Sequence, residues 1–318
     1  MFDFAAAEDV PIGTIDVEER VRLLSGRTLI GHGPRSILRA APGITTALLV
    51  GLSTDASQDI TLRDMTLDLS ELSGGSVKAV QITNGARVRL VRVRIIGAPE
   101  IGAMFTGCRD VKLIDCEIES TNGGVRFNHG STDCGLYDST VRDGSGKCLL
   151  VASDSLRCSA VGNDLAITGP SGQECIGFEA NCHDAYVAGN YCVGAPDDNC
   201  IGVGGDRSRV IGNTIKSTGR HGISIGDGTT SPFDAIVQGN VVLNAGTDLS
   251  AAWAGIVLQG ASGSVVMGNR VTGCHEFGVK GTAEDHCVVT NNDLRGNVTG
   301  ATSLTGANNV LADNLIGA

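Results

Sequence analysis

The chain has 318 residues, a formal net charge of -11 and only 3% aromatic residues. The acidic balance argues against nucleic acid or an anionic membrane surface as a partner, and no apolar stretch approaches the roughly 20 residues of a membrane span. The 11 cysteines show no paired spacing, which is typical of reduced thiols rather than of a disulfide framework.

Residues 1–14 are predicted to be an N-terminal cap segment, and residues 15–318 are predicted to form one elongated domain. Met1 to Phe4 lack the basic and apolar regions of a signal peptide. For the chain as written we therefore expect a cytoplasmic location, or release without classical export. The exposed strand edges at the two ends of such a domain need cover, so a homo-oligomer, including a trimer, stays open.

A short apolar strand that ends in Asn recurs along the second half of the chain. Intervals of 23 to 29 residues separate the six corner residues, which are Asn163, Asn190, Asn213, Asn240, Asn269 and Asn292. A unit of this size cannot bury its own apolar face, so the repeat predicts a solenoid. Asn suits such a corner because it tolerates a left-handed turn and its amide can hydrogen-bond the Asn of the next coil.

Two further strands complete each repeat. One follows the Asn corner directly, and the other comes after a loop and often reads Gly-apolar-x-apolar, as in Gly222–Ile225 and Gly255–Leu258. Three strands of period two in each repeat, with no helical period between them, predict an all-β coil of parallel strands with about ten coils.

This pattern resembles the single-stranded right-handed parallel β-helix of the pectin lyase-like superfamily, over about residues 15 to 316. The segments Val10–Thr14 and Ser25–Gly31 are also similar to that superfamily's first coil. The resemblance implies the fold but no single activity, because the same rod carries lyases, hydrolases, epimerases and phage tail fibres.

Aligning the third strands predicts one outward-facing column of side chains: Gln81, Met104, Arg126, Leu150, Gly177, Gly202, Ser224, Val257 and Lys280. The three small residues in its middle predict a shallow floor. On one side of this floor the alignment places Glu174, Asp197, Asp198, Asn199, Arg220 and His221, and on the other Glu179, Asp206 and Asp227. Several carboxylates and a His around a depression suit acid–base cleavage of a sugar chain. The expected partner is therefore a polysaccharide or oligosaccharide.

One stretch resembles the catalytic motifs of the polygalacturonase family. Asp197-Asp198-Asn199-Cys200 is similar to its Asp-Asp-Cys motif, and Arg220–Gly226 is similar to its Gly-His-Gly-(Leu/Ile)-Ser-Ile-Gly motif. The resemblance implies Asp197 as general acid, Asp198 as the base that activates water, and His221 as a support for the acid. The inserted Asn199 and the Val257–Gln259 segment, which stands in place of the family's Arg-Ile-Lys, depart from it. Glu174 or Glu179 is the alternative second carboxylate.

Other functions stay open at this point. Arg126 and Lys147 on the same face could serve a polysaccharide lyase or an epimerase, which needs a base and a cation. Trp253, the only Trp, is expected either to stack on a sugar or to anchor a loop, and Asp206, Arg220 and Asp227 are further candidate substrate-binding residues. A non-catalytic glycan-binding rod such as a phage tail component, and an intracellular enzyme for a small molecule, are the alternatives. We expect no cofactor and no metal. Among these functions, a glycoside hydrolase is the one that we expect first.

Overall fold

The structure is a computed structural model that describes residues 7–51, 57–120, 122–167, 169–170, 172–251 and 253–317. Within these ranges the chain forms 34 β-strands and no helix, so no described helix is available to span a membrane. The named strands pair in parallel, each with the equivalent strand of the next coil. Because every coil repeats the same three-strand path, the chain forms a parallel β-helix.

One face of this β-helix is a sheet of 12 strands, which we call the site sheet. It corresponds to about 12 coils, slightly more than the ten predicted, because the first coils lack the Asn corner that reveals the repeat. Its strands are Val21–Arg22, Ala47–Gly51, Lys78–Thr83, Ile101–Thr106, Val125–Asn128, Leu149–Val151, Ile176–Phe178, Ile201–Val203, Ile223–Ile225, Ile256–Gln259, Phe277–Thr282 and Gly300–Ser303.

The other two faces form one sheet of 22 strands, joined by two long strands that run through the corner between them. Its strands are Ala7–Asp9, Gly13–Val17, Thr28–Ile30, Ser36–Ala40, Gln58–Asp68, Ala86–Ala98, Arg109–Ile114, Glu117–Ser120, Gly135–Tyr137, Thr140–Asp143, Ser159–Val161, Asp164–Ile167, Tyr186–Ala188, Tyr191–Val193, Arg209–Ile211, Thr214–Thr218, Ile236–Gln238, Val241–Ala245, Val265–Met267, Arg270–Thr272, Val288–Thr290 and Val310–Ala312.

The core is a stack of aliphatic side chains and thiols inside the coils. Burial alternates along Ser36–Ala40 with the period of two that a strand with one inward face requires. Phe105 and Phe127 are the one described pair of stacked Phe rings, with centroids 5.5 Å apart. All 11 cysteines are buried and free, as predicted, and burial raises the pKa of the Cys108 thiol to about 12.

The predicted Asn ladder is confirmed and continues to Asn314. The side-chain Nδ2 of Asn163 donates to Oδ1 of Asn190 at 2.8 Å, and each later Asn repeats this bond with the next at 2.8–3.0 Å. The same Oδ1 atoms also accept the backbone N–H of the preceding Asn, as in Asn190 to Asn213 at 2.9 Å. The buried polar corner is therefore satisfied from coil to coil.

The expectation that the corner Asn residues adopt the left-handed conformation is wrong. The residue with the left-handed conformation is the one before the Asn, for example Gly189 and Gly212, each with φ of 64°. Because Gly carries no Cβ, it adopts this conformation without strain. The Asn itself is selected by its hydrogen bonds rather than by its backbone angle.

Candidate functional site

The strand register confirms the predicted outward column of the site sheet. Arg126 pairs with Leu150, Leu150 with Gly177 and Gly177 with Gly202, and the register then continues through Ser224 and Val257 to Lys280. We call this series the floor column. Gly177 and Gly202 have no side chain in its middle, so side chains from the edge of the sheet can lie across it.

A second column lies three residues before each of these positions, at the edge of the site sheet. The register places Lys147, Glu174, Asn199 and His221 at the same position of four successive coils. We call this series the rim column. Asn199, which departs from the polygalacturonase motif, occupies the rim position itself, and its Oδ1 accepts the backbone N–H of His221 at 3.2 Å.

Glu174 lies across the glycine floor. A Cβ on Gly202 would come within 2.2 Å of its Oε1, and a Cβ on Gly177 would come within 2.6 Å of its Oε2. Its carboxylate forms an ion pair with the Lys147 ammonium of the preceding coil, and the whole residue is only 9% exposed. The two glycines therefore provide the space that this carboxylate occupies.

Burial raises the pKa of Glu174 above the ordinary value for a glutamic acid, although the nearby Lys147 ammonium lowers it. The charges of Asp198 and Glu179 raise it further. Three carboxyl groups thus interact at one point of the site sheet, and burial and its two acidic neighbours favour the protonated form of Glu174. This is the arrangement that a general acid requires.

His221 is buried beside this carboxyl cluster. The backbone N–H of Ala254 donates to its Nδ1 at 2.9 Å, and burial lowers the pKa of the imidazole to about 4. The ring is therefore neutral near pH 7, with Nδ1 as acceptor and its proton on Nε2.

Trp253 packs edge-on against the His221 ring, with centroids 5.0 Å apart. The guanidinium carbon of Arg220 lies 5.3 Å from the centroid of the same indole. The indole Nε1 is buried and has no hydrogen-bond partner among the described residues. The indole therefore lies beside His221 and Arg220 and lines the cleft described next.

These side chains surround a cleft of about 340 Å³. The cleft brings together eight of the residues that the sequence singled out: Lys147, Glu174, Glu179, Asp198, Arg220, His221, Asp227 and Trp253. Arg220 approaches Asp198 at 3.8 Å. The cleft is polar and partly open, and acidic groups outnumber basic ones along its walls.

Asp197 lies outside this cleft. It is exposed, whereas the next residue, Asp198, is partly buried and lines the cleft. Both residues lie in a turn that is closed by a bond from the backbone N–H of Asp198 to the carbonyl of Ala195 at 3.3 Å. The position of Asp197 therefore does not support the general-acid role that the polygalacturonase resemblance implies.

Two other candidate residues have local structural partners. Asp206 lies outside the cleft, where its carboxylate approaches Nδ1 of His183 at 3.1 Å and accepts the backbone N–H of Phe233 at 3.2 Å. Asp227 lines the cleft, but its Oδ1 accepts four bonds from the backbone and hydroxyl groups of Thr229 and Thr230. Although burial opposes them, these bonds lower its pKa. Asp227 thus shapes the loop at one end of the cleft.

A second, smaller cleft of about 130 Å³ adjoins the first and shares Lys147 with it. Arg126 lines this second cleft, together with the side chains of Glu100, Asn122 and Gln173. Apart from Arg126 and Lys147, these residues were not singled out as site residues from the sequence.

The described residues contain no group of three or more His, Cys, Asp or Glu side chains arranged to hold a metal ion. In the rim column Asn199 and His221 bind backbone groups and Lys147 binds Glu174. Carboxyl groups that can transfer protons line the cleft, together with neutral donors and cations that can bind a substrate.

Comparison with known proteins agrees with this architecture. The family described as "Right handed beta helix region" matches residues 193–318. The capsule K30/K69-specific depolymerase of Klebsiella phage K64-1 is 26% identical over 231 residues, which are 71% of this chain and 27% of that protein. The chain thus spans about a quarter of the length of this curated relative.

Two solved structures illustrate the likeness in three dimensions. The A-module of the mannuronan C-5 epimerase AlgE4 from Azotobacter vinelandii superposes with a TM-score of 0.68 at 13% identity, over 96% of this chain and 90% of that one. The catalytic domain of a GH87 alpha-1,3-glucanase in complex with nigerose has a TM-score of 0.61 at 12% identity, over 97% and 63%. At such low identity these likenesses show the fold alone. The chain has a right-handed parallel β-helix fold, as the sequence repeat predicted.

Proposed function

We propose that the chain is a polysaccharide-acting β-helix protein that hydrolyses a glycosidic bond in the larger cleft. The observation that carries this proposal is the Glu174 carboxyl, which is buried on a floor of two glycines and surrounded by two further carboxylates. Glycoside hydrolysis needs a carboxylic acid of raised pKa next to a second, ionised carboxylate. An open cleft along a rod also suits a long chain.

In this proposal Glu174 donates its proton to the glycosidic oxygen as the bond to the anomeric carbon breaks. Asp198 takes a proton from the water that attacks that carbon, and Glu179 is the alternative for this step. Both residues line the cleft and influence the pKa of Glu174. The proton lost by Glu174 is thus balanced by the one gained from water.

The neutral His221 and the indole of Trp253 are assigned to substrate binding. A donor Nε2–H can bond a sugar hydroxyl, and an indole can pack against the apolar face of a sugar ring. Arg220 lies over the same indole and offers further donors. The substrate that we propose is a capsular polysaccharide, which the name of the phage depolymerase supports.

The test is a panel of purified acidic and neutral capsular polysaccharides incubated with the protein. Hydrolysis creates new reducing ends without an unsaturated sugar. Ultraviolet absorbance of an unsaturated product would instead indicate a lyase. A changed sugar configuration without cleavage would indicate an epimerase, and binding without turnover would indicate a non-catalytic glycan-binding protein. Any of these three results would contradict hydrolysis.

The matched variants are Glu174→Gln, Asp198→Asn and Asp197→Asn. Removal of the acid is expected to lower kcat about 10²- to 10⁴-fold, which is the usual contribution of general acid–base catalysis. Asp197→Asn changes the same chemical group one residue outside the cleft, so it is expected to keep nearly full activity. Full activity of Glu174→Gln would exclude the assignment.

A further inference from the structure

We propose that the smaller cleft is a subsite for an acidic sugar, whose carboxylate binds the guanidinium of Arg126. This inference rests on the proposed function and adds the class of polysaccharide, which would be one with an anionic sugar in its repeating unit. The inference also places the acidic sugar on the N-terminal side of the bond to be cleaved, along the axis of the β-helix.

Arg126 carries the uncompensated charge of this cleft. Its Nε is buried and has no hydrogen-bond partner among the described residues, and no described carboxylate forms an ion pair with its guanidinium. The other charged groups nearby are already paired, since Lys78 binds Glu100 at 2.5 Å and Lys147 binds Glu174. A partly buried guanidinium without a counter-charge is costly, and a bidentate carboxylate would offset that cost.

The two clefts differ in charge along one face of the rod. Arg126 stands two strands before Gly177 in the floor column, which corresponds to about 10 Å at the usual strand spacing. Glu174 lies over Gly177, and Glu179 and Asp198 surround it. These carboxylates would repel an anionic substituent, so the acidic sugar belongs at Arg126 while the bond to be cleaved lies at Glu174.

The remaining walls of the smaller cleft suit a sugar. Asn122 and Gln173 line it and carry amides that can donate to and accept from hydroxyl groups. Leu150 lies between Arg126 and Gly177 in the floor column and is 9% exposed, so it forms an apolar step between the two clefts. The linear arrangement is that of consecutive sugar-binding positions along a groove.

The test compares Arg126→Gln and Arg126→Lys with the wild type. The probes are each acidic polysaccharide of the panel on which the wild type acts or to which it binds, and the same polymer after chemical reduction of its carboxyl groups to primary alcohols. Affinity electrophoresis measures binding, and reducing ends measure turnover. Arg209→Gln removes an equally charged but exposed side chain of the 22-stranded sheet and is the matched control.

Arg126→Gln is expected to weaken binding of the acidic polymer and to raise its KM about 10- to 100-fold, with little change in kcat. A change of this size corresponds to the loss of a pair of charge-assisted hydrogen bonds. Binding of the reduced polymer should be the same in the variant and the wild type, and Arg126→Lys should restore part of the loss. Equal losses on both polymers, no loss on the acidic polymer, or wild-type action on neutral polymers alone would overturn the proposal.

The two proposals fail separately. Acidic polymer that is bound through Arg126 but never cleaved would contradict hydrolysis and leave this subsite standing. Cleavage that is indifferent to Arg126 would leave hydrolysis standing and overturn the subsite.

Discussion

Lys147 and Glu174 form an ion pair between the same position of two successive coils, at the edge of a floor of glycines. The pair joins the two clefts, because Lys147 lines both and Glu174 lines the larger one. Burial raises the pKa of Glu174 and Lys147 lowers it, so this contact opposes the burial that favours the protonated form of the proposed acid.

Replacement of Lys147 by Met is expected to shift the pH dependence of catalysis. Without the ammonium the pKa of Glu174 rises further, since burial is no longer opposed. A general acid loses activity as pH rises through its pKa, so the alkaline limb of the kcat/KM profile should move to higher pH. Lys216→Met is the control, because that ammonium lies over Tyr191 on another sheet. An unmoved alkaline limb would mean that Glu174 is not the acid.

A Cβ at Gly202 is expected to impair catalysis without unfolding the protein. In Gly202→Ala the new atom would lie 2.2 Å from Glu174 Oε1, so the carboxylate must leave its place. A displacement of about 1 Å in a catalytic group can cost about 100-fold in rate. Gly43→Ala is the matched control, because its Cβ would meet only a carbonyl oxygen at 3.7 Å. Measured initial rates that agree between the two variants would show that this carboxylate position is unimportant.

His221 is expected to make stability depend on pH. Its pKa is lowered from 6.5 to about 4 by burial, so between these values the unfolded chain binds a proton that the folded chain does not. The free energy of unfolding therefore falls as pH decreases from about 6.5 to about 4, by roughly 3 kcal/mol at about 1.4 kcal/mol per pKa unit. Urea denaturation of the wild type and His221→Asn across this range checks it, and the variant should lack this part of the slope.

The Asn ladder is expected to contribute strongly to stability. In Asn213→Ala the backbone N–H and the Nδ2 of Asn190 lose the acceptor that they share. Buried donors without a partner cost about 1–3 kcal/mol each, so a loss of roughly 3 kcal/mol in the free energy of unfolding is expected. Asn314→Ala lies at the end of the described ladder in a less buried coil and should cost less. Equal, small effects in denaturant titrations would argue against the ladder.

Local pattern determined the fold and the outward face of this protein. The period of two within strands and the Asn corner at 23 to 29 residues left one way to bury the apolar side chains. For the same reason the floor column, from Arg126 to Lys280, followed from the alignment of Gly-apolar-x-apolar strands. In a solenoid each coil contacts only its neighbours, so register is a property that the sequence repeat itself carries.

The tertiary structure alone decided which charged side chains meet. Asp197 and Asp198 are adjacent in the sequence, yet Asp198 lines the cleft and Asp197 is exposed outside it. Glu174 is the buried carboxyl of the larger cleft because Gly177 of its own coil and Gly202 of the next leave space beneath it. Such positions depend on loop conformation and on packing between coils, which residue spacing does not encode. The sequence repeat therefore determined the β-helix fold, and packing decided which side chains meet in the cleft.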